Sequence, residues 1–239
     1  TRSVFVNLGS AGKTAPAPWN NWLGTRAANS VISNLKDEAG AATSFSVTTV
    51  NAWSSTTNMG HITGNNNGTF PDAVLESGIA DNGAAKQIKV SGLNASKRYN
   101  LVFLGSQNEG LIATANYTTG SQTSSLDARY NTNRTANLNT LTPDGTGSVL
   151  ATITRTNGSA FTYLNAIVIE EYDPAITLLE PSNLYVEALD RTSINVTWAD
   201  KTNNESATNG YELQRSTTAS FSSVTSINLP ANTTSYTNT

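Results

Sequence analysis

Short runs in which apolar and polar residues alternate recur along the chain, and turn-forming residues separate them. A period of two places every second side chain on the same face, which is the pattern of a half-buried β-strand. No window of useful length carries the 3.6-residue period of an amphipathic helix. About eight to ten such runs precede residue 173, so we predict an all-β fold whose first part is an antiparallel, jelly-roll-type β-sandwich.

Two runs differ from simple alternation. Residues 99–105 are nearly all apolar, which predicts a central strand that is buried on both faces. The apolar residues of 161–170 cannot all lie on one face, so this run predicts a bulge or a two-sided strand. Residues 72–77 are expected to form one helical turn. The remaining predicted strands of the first part are residues 3–8, 44–50, 87–90, 113–119, 122–128, 135–141 and 148–155, and residues 29–35 are a further short apolar segment.

A stretch rich in proline and tryptophan follows the first predicted strand. Residues 14–22 hold two of the seven prolines and two of the four tryptophans. Each proline fixes its own φ and disfavours the helical region for the residue before it, so we predict a stiff extended loop rather than a helix or a central strand. Residues 51–71 form a second long irregular stretch, and loops of this length are usually functional or mobile.

Both loops carry side chains that suit a sugar, because indole rings stack on the C–H face of a pyranose and amides bond its hydroxyls. The predicted carbohydrate-binding residues are Trp19, Asn20, Trp22, Trp53, Asn58 and His61, with Tyr117 and Tyr163 as outside candidates. Tyr130 lies between polar residues and is expected to be exposed. The alternative for each ring is the core, since burying a tryptophan removes roughly 200 Å² from water, or about 5 kcal/mol.

The composition excludes several classes of partner. Charged residues make up 13% of the chain and the net charge is −3, so no basic patch for nucleic acid is expected. A surface rich in hydroxyls and amides fits a neutral polar ligand, and it fits an inert spacer equally well. There is no cysteine, which excludes disulfides and thiolate metal sites. No apolar run approaches the ~20 residues of a membrane span, so no membrane insertion is expected.

An enzyme is the first alternative to a binding protein. His61 is the only histidine of the sequence, and its local candidates for a catalytic triad are Ser54, Ser55 and Asp72. No Gly-x-Ser-x-Gly elbow is present. Carboxylates for glycoside hydrolysis would come from Glu76, Asp81, Glu109 and Asp127. Their spacing selects no pair, so we expect a non-catalytic protein, with a fragment of a carbohydrate-active hydrolase as an alternative.

Metal ligands are sparse as well. The content of histidine and acidic residues is too low for a zinc or copper site, and no EF-hand loop is present. A structural calcium held by backbone carbonyls and one or two acids remains open, but the sequence does not name its ligands. No cofactor is expected otherwise.

The second part of the chain follows a predicted linker, residues 174–181. The motifs that carry its resemblance are 181–184 (Pro-Ser-Asn-Leu), 193–198 (Ser-Ile-Asn-Val-Thr-Trp), 210–216 (Gly-Tyr-Glu-Leu-Gln-Arg-Ser) and 232–237 (Asn-Thr-Thr-Ser-Tyr-Thr). On these motifs residues 182–239 resemble a fibronectin type III domain, an immunoglobulin-like sandwich. The resemblance implies that Trp198 packs between its two sheets.

Such a domain needs about 90–100 residues. The last two strands are therefore expected to be missing, with truncation, proteolysis or completion by another chain as explanations.

The first part resembles another family. The motifs are 4–9 (Val-Phe-Val-Asn-Leu-Gly), 15–21 (Ala-Pro-Ala-Pro-Trp-Asn-Asn), 70–75 (Phe-Pro-Asp-Ala-Val-Leu), 90–93 (Val-Ser-Gly-Leu), 99–101 (Tyr-Asn-Leu) and 163–169 (Tyr-Leu-Asn-Ala-Ile-Val-Ile). On these motifs residues 1–173 resemble galactose-binding-like and malectin-like modules. The resemblance implies a polysaccharide- or glycan-binding region of a secreted or surface-attached bacterial multidomain protein. Its partners would be a glycan and other domains of the same polypeptide. The alternative is a structural or adhesive spacer without a sugar pocket.

Overall fold

A computed structural model describes residues 1–24, 26–66, 68–174, 181–200 and 210–239. In these ranges the protein is built of strands in several sheets, most of them antiparallel, and of one short helix. The predicted all-β fold class is confirmed. Two compact units make up the chain, Thr1–Pro174 and Ala175–Thr239. Most of the predicted linker, residues 175–180, lies outside the described residues.

The first unit contains fourteen strands and one helix among its described residues. The strands are β1 (Arg2–Asn7), β2 (Trp19–Asn21), β3 (Ser30–Ile32), β4 (Ser46–Thr49), β5 (Ser55–Thr57), β6 (Gly78–Asp81), β7 (Lys86–Ser91), β8 (Arg98–Leu104), β9 (Thr114–Thr119), β10 (Gln122–Asp127), β11 (Ala136–Leu141), β12 (Ser148–Arg155), β13 (Thr162–Leu164) and β14 (Ala166–Tyr172). The helix, α1, spans Asp72–Leu75.

Two large sheets of the first unit pack face to face. Their strand orders are β11-β8-β14-β1-β2 and β10-β9-β12-β7-β4-β3, and a small third sheet has the order β13-β6-β5. Alternate residues of each strand face inward: Val4 and Val6 of β1 share one buried cluster with Ile88 and Val90 of β7. The period of two therefore produces this sandwich because each sheet buries one face against the other.

The two unusual runs take irregular or central positions. β8 lies between β11 and β14, which confirms a central strand, but its predicted burial on both faces is only partial, because Asn100 and Val102 are half-buried. Residues 161–170 form two strands separated at Asn165, where the chain leaves the small sheet and joins the five-stranded one. Three hydrogen bonds hold the buried Asn165 amide at this junction. Nδ2 donates to Leu75 O and Ser77 O at 2.9 and 3.0 Å, and Oδ1 accepts from Ser106 N at 2.8 Å.

Two loop predictions need correction. The proline- and tryptophan-rich segment contains β2, which pairs in parallel with β1 at the edge of the five-stranded sheet. This is compatible with proline, because Pro16 and Pro18 precede the strand and leave its donors intact. The stretch 51–71 is not wholly irregular, since it contains β5. The sequence pattern missed β5 and β6 because strands of three and four residues are too short for periodicity to be visible.

The outer face of the five-stranded sheet carries a second, smaller core. Val74 and Leu75 of α1 cover Leu104 and Val168 there, and all four side chains are buried. Phe5 and Trp19 are partly buried against the same cluster. The five-stranded sheet therefore carries apolar side chains on both faces where β8, β14, β1 and β2 lie side by side.

The second unit is described by itself. Its strands are β15 (Ser182–Ala188), β16 (Ile194–Ala199), β17 (Tyr211–Arg215), β18 (Thr225–Leu229) and β19 (Ser235–Asn238), in sheets ordered β15-β16-β19 and β17-β18. Trp198 is 8% exposed, and its ring centroid lies 5.5 Å from that of Tyr211, which confirms its predicted core position. Leu184, Val186 and Phe221 are more than half exposed. Within the described ranges, no helix is long and apolar enough to cross a membrane.

Candidate functional site

Three of the aromatic side chains considered for sugar binding are interior. Trp53 is 3% exposed and belongs to the core between the two large sheets. Tyr117 and Tyr163 are 1% and 4% exposed. Tyr117 stacks on the core residue Phe103 with ring centroids 4.9 Å apart. These rings offer no free face for stacking, so Trp53 and both outside candidates are removed from the site.

Trp19 and Trp22 do not form one platform. Trp19 stands beside Phe5 on the outer face of the five-stranded sheet, with ring centroids 5.2 Å apart, and lies 6.2 Å from Phe70. Trp22 packs against the inner core, and the Arg26 guanidinium lies 4.5 Å from its ring. Side chains three residues apart in an extended segment point to opposite faces, which explains the separation.

The amide of Asn20 is committed to the fold. Its Nδ2 donates to Phe5 O at 3.0 Å and to Lys36 O at 2.8 Å, and its Oδ1 accepts from Lys36 N at 2.8 Å. Asn58 Oδ1 accepts a hydrogen bond from the Ser10 hydroxyl. Beside Pro18 and Trp19 an open depression of about 320 Å³ remains, bounded on its other side by residues 36–40. Asn20 thus fixes one wall of this depression instead of presenting a free amide.

His61 lies in a different surrounding, where three loops converge. Its backbone N–H donates to Ser106 Oγ at 2.9 Å, which ties the loop before α1 to the loop after β8. Tyr130, from the loop after β10, donates its backbone N–H to Gln107 O at 2.8 Å. The His61 ring stands edge-on to the Tyr130 ring at 5.4 Å, and its Nδ1 is 2.7 Å from Asn108 Oδ1. We name His61, Asn108, Glu109 and Tyr130 the rim site.

Tyr130 has an unusual backbone conformation at this rim. Its φ is 49°, in the left-handed region that L-residues other than Asn, Asp and Gly rarely adopt, and its side chain is 54% exposed. Gly110 lies directly beneath the phenol: a Cβ at this position would be 2.6 Å from the Tyr130 hydroxyl oxygen. The ring is therefore held in place and presented to solvent at a cost in backbone strain, a combination that is concentrated at functional sites.

Free donors and acceptors surround the exposed ring. Asn108 Oδ1 accepts from His61 Nδ1–H, so Nε2 is the ring nitrogen that faces away from this contact. Glu109 Oε2 accepts from the Tyr163 hydroxyl at 3.0 Å. Burial, together with the Glu109 carboxylate, raises the pKa of Tyr163, so this hydroxyl remains a donor. Among the described residues, four rim-site groups have no hydrogen-bond partner: His61 Nε2, Asn108 Nδ2, Glu109 Oε1 and the Tyr130 hydroxyl.

The contacts of the triad candidates differ from those of a triad. His61 has an amide partner rather than a carboxylate. Both Ser54 and Ser55 donate their hydroxyls to Ala80 O. Asp72 accepts at Oδ1 from Thr63 and at Oδ2 from the backbone of residues 64 and 66, so it holds the loop before α1. Burial alone would raise the pKa of Asp72, but these hydrogen bonds lower it overall. In the part of the chain that the structure describes, no three His, Asp or Glu side chains are grouped as a metal site.

Of the six predicted residues, the structure places His61 at the rim site and leaves Trp19 at a separate depression. Sequence reasoning missed Asn108, considered Glu109 only as a candidate carboxylate for glycoside hydrolysis, and expected the exposure of Tyr130 without assigning it to the site. A polar loop with a glycine directly after the central apolar strand was the available signal.

Comparison with protein-family models and with curated proteins found no match to this chain.

Proposed function

We propose that the first unit is a non-catalytic carbohydrate-binding module and that its sugar binds at the rim site. The observation that carries this proposal is the Tyr130 ring, half exposed yet fixed by His61 and Gly110. A fixed aromatic face stacks on the C–H face of a sugar without losing rotamer freedom on binding. The partnerless atoms of His61, Asn108 and Glu109 then supply the donors and acceptors that sugar hydroxyls require.

A neutral glycan fits the rim site better than other ligands. The Glu109 carboxylate would repel an anionic polymer, while it accepts hydrogen bonds from hydroxyls. Sugar hydroxyls are both donors and acceptors, so one ligand satisfies His61 Nε2 and Asn108 Nδ2 together. The proposal extends to the setting: a secreted or surface-attached protein whose partner is a polysaccharide or a cell-surface glycan.

The direct test replaces the Tyr130 ring. Tyr130→Ala is expected to weaken binding to a neutral polysaccharide about 10-fold, because covering about 60 Å² of ring at ~25 cal/mol per Å² contributes about 1.5 kcal/mol. Tyr130→Phe keeps the ring and should bind within a few-fold of the parent protein. Tyr185→Ala is the matched control, since Tyr185 is a 60% exposed tyrosine of the second unit. A glycan array screens the parent protein first, and calorimetric titration then measures each variant.

A spacer is the second candidate, and the structure offers a specific reason for it. The buried Trp53 and the committed Asn20 amide show that side chains of sugar-binding type serve the fold here. If the first unit is a spacer, the array shows no bound glycan and the Tyr130 variants behave like the parent protein. That outcome would falsify the carbohydrate proposal.

A further inference from the structure

A polar cavity lies at the end of the sandwich opposite to the rim site. One rim loop ends where β9 begins, and another begins where β10 ends. Because β9 and β10 form an antiparallel hairpin, the turn that connects them lies at the opposite end of the sandwich. An open groove of about 510 Å³ lies beside this turn. We name it the Asp144 groove. Its lining includes Thr118, Thr142, Asp144, Ser148, Leu150 and Thr152.

Asp144 presents one carboxylate oxygen in this groove. Its Oδ1 accepts from Thr146 Oγ1 at 2.6 Å, from Thr146 N at 2.8 Å and from Ser148 N at 3.0 Å. The hydrogen bonds from Thr146 and Ser148 lower the pKa of Asp144, so the group is ionised at neutral pH. Across the described ranges of the chain, Oδ2 has no hydrogen-bond partner. The loop thus holds an ionised acceptor in place.

Hydroxyls and apolar side chains complete the groove, and of its apolar lining residues, Leu141, Val149 and Leu150, Leu150 is the exposed one. Thr118 and Thr152 are opposite each other on neighbouring strands, and the Thr118 hydroxyl donates to Thr152 O at 3.3 Å. Gln87 Nε2 lies 3.5 Å from Thr152 Oγ1 as a donor, so the Thr152 hydroxyl retains its own hydrogen for an acceptor. Leu150 is 43% exposed two residues earlier on the same strand. The groove therefore combines an apolar surface with a carboxylate acceptor and hydroxyl groups.

We propose that the Asp144 groove is a second carbohydrate-binding site for a neutral sugar, an inference that rests on the carbohydrate-binding function proposed above. The carboxylate disfavours an anionic ligand, and a calcium ion would need about six to eight oxygen ligands, of which this groove offers one carboxylate oxygen. A pyranose donates its hydroxyls to Asp144 Oδ2 and lays its C–H face on Leu150. Two sites at opposite ends allow one molecule to hold two glycan chains, which raises the avidity for an insoluble polysaccharide.

The experiment uses the full chain and two groove variants. Asp144→Asn keeps the Oδ1 acceptor that orders the loop and replaces Oδ2 with a donor. Thr152→Val removes a hydroxyl at nearly constant volume. Thr154→Val is the matched control, because Thr154 is exposed on the same strand but outside the groove lining. Calorimetric titration with a panel of soluble neutral oligosaccharides measures stoichiometry and affinity, and circular dichroism verifies that each variant is folded.

We expect two binding events per chain for the parent protein and for Thr154→Val. Each groove variant should weaken one event at least 5-fold, and Tyr130→Ala should weaken the other. A stoichiometry of one whose affinity Tyr130→Ala weakens overturns the second site while the rim site stands. No binding of any oligosaccharide overturns the proposed function and the second site together. Two events that both groove variants leave intact also overturn the assignment of the groove.

Discussion

At the scale of single residues, a side chain's chemistry and its location are separate questions. Asn20 has the amide predicted to bind sugar, but backbone groups of Phe5 and Lys36 occupy both of its Nδ2 hydrogens and one acceptor position of its Oδ1. Trp53 has the ring predicted to stack, but it is buried in the core. Tyr130, which sequence reasoning left outside the site, adopts a left-handed φ of 49° with its ring in solvent. The stronger indication of function is a strained, exposed ring that neighbouring groups hold in place, as His61 and Gly110 hold Tyr130.

Replacing Tyr130 with glycine tests whether this residue is kept for binding. Glycine adopts the left-handed region freely, so relief of roughly 1 kcal/mol of backbone strain offsets the removal of the ring that packs against His61. We expect the free energy of unfolding of Tyr130→Gly to stay within about 1 kcal/mol of the parent value, while glycan affinity at the rim site falls about 10-fold, as for Tyr130→Ala. Thermal and denaturant unfolding measure the first quantity. A decrease of several kcal/mol would show that Tyr130 is a structural residue.

At the scale of elements, the rim site depends on ties between loops. Ser106 accepts the backbone N–H of His61 and donates its hydroxyl to Asn131 O at 2.7 Å, so one buried hydroxyl connects all three rim loops. Asn131 Nδ2 also donates to Gly105 O at 2.8 Å. The sheets place the loop ends near one another, and these polar ties set the distance between His61 and Tyr130.

Removing the Ser106 hydroxyl is therefore expected to weaken the rim site, although this hydroxyl contacts the His61 backbone and none of the four partnerless rim-site groups. Ser106→Ala leaves the His61 N–H and the Asn131 carbonyl without this partner, which costs about 1–3 kcal/mol of stability. We expect at least a 3-fold weaker glycan affinity as well, since His61 and Tyr130 lose their common anchor. Ser125→Ala, an exposed hydroxyl on β10, is the control and should change neither quantity. Lower stability with parental affinity would mean that the rim loops are ordered independently of Ser106.

At the scale of the whole molecule, the two units have very different cores. The main buried cluster of the first unit draws on both large sheets, and a second cluster lies under α1. The buried cluster of the second unit, in its described residues, consists of Val196, Trp198 and Leu229. Apolar burial is the dominant favourable term in folding, so the first unit should be much the more stable.

Calorimetry of the full chain should therefore show two unfolding transitions. Trp198→Ala is expected to lower or abolish the low-temperature transition, because truncating a core tryptophan costs about 3–5 kcal/mol, and to leave the other unchanged. Phe103→Ala, in the fully buried core of the first unit, is the reciprocal control and should lower the high-temperature transition alone. A single transition that both variants shift equally would contradict two independent units.

The alternation of apolar and polar residues by itself determined the all-β class, and the two runs that depart from alternation indicated the central strand β8 and an irregularity within residues 161–170. It did so because a period of two can bury its apolar residues only when strands pair into sheets that cover one another. Only the tertiary structure decided that Trp53 is buried and which polar side chains of the loops form hydrogen bonds with one another. His61 and Asn108 are 47 positions apart in the chain, and their contact depends on the packing of the sheets and the ties among the loops, which no local pattern encodes.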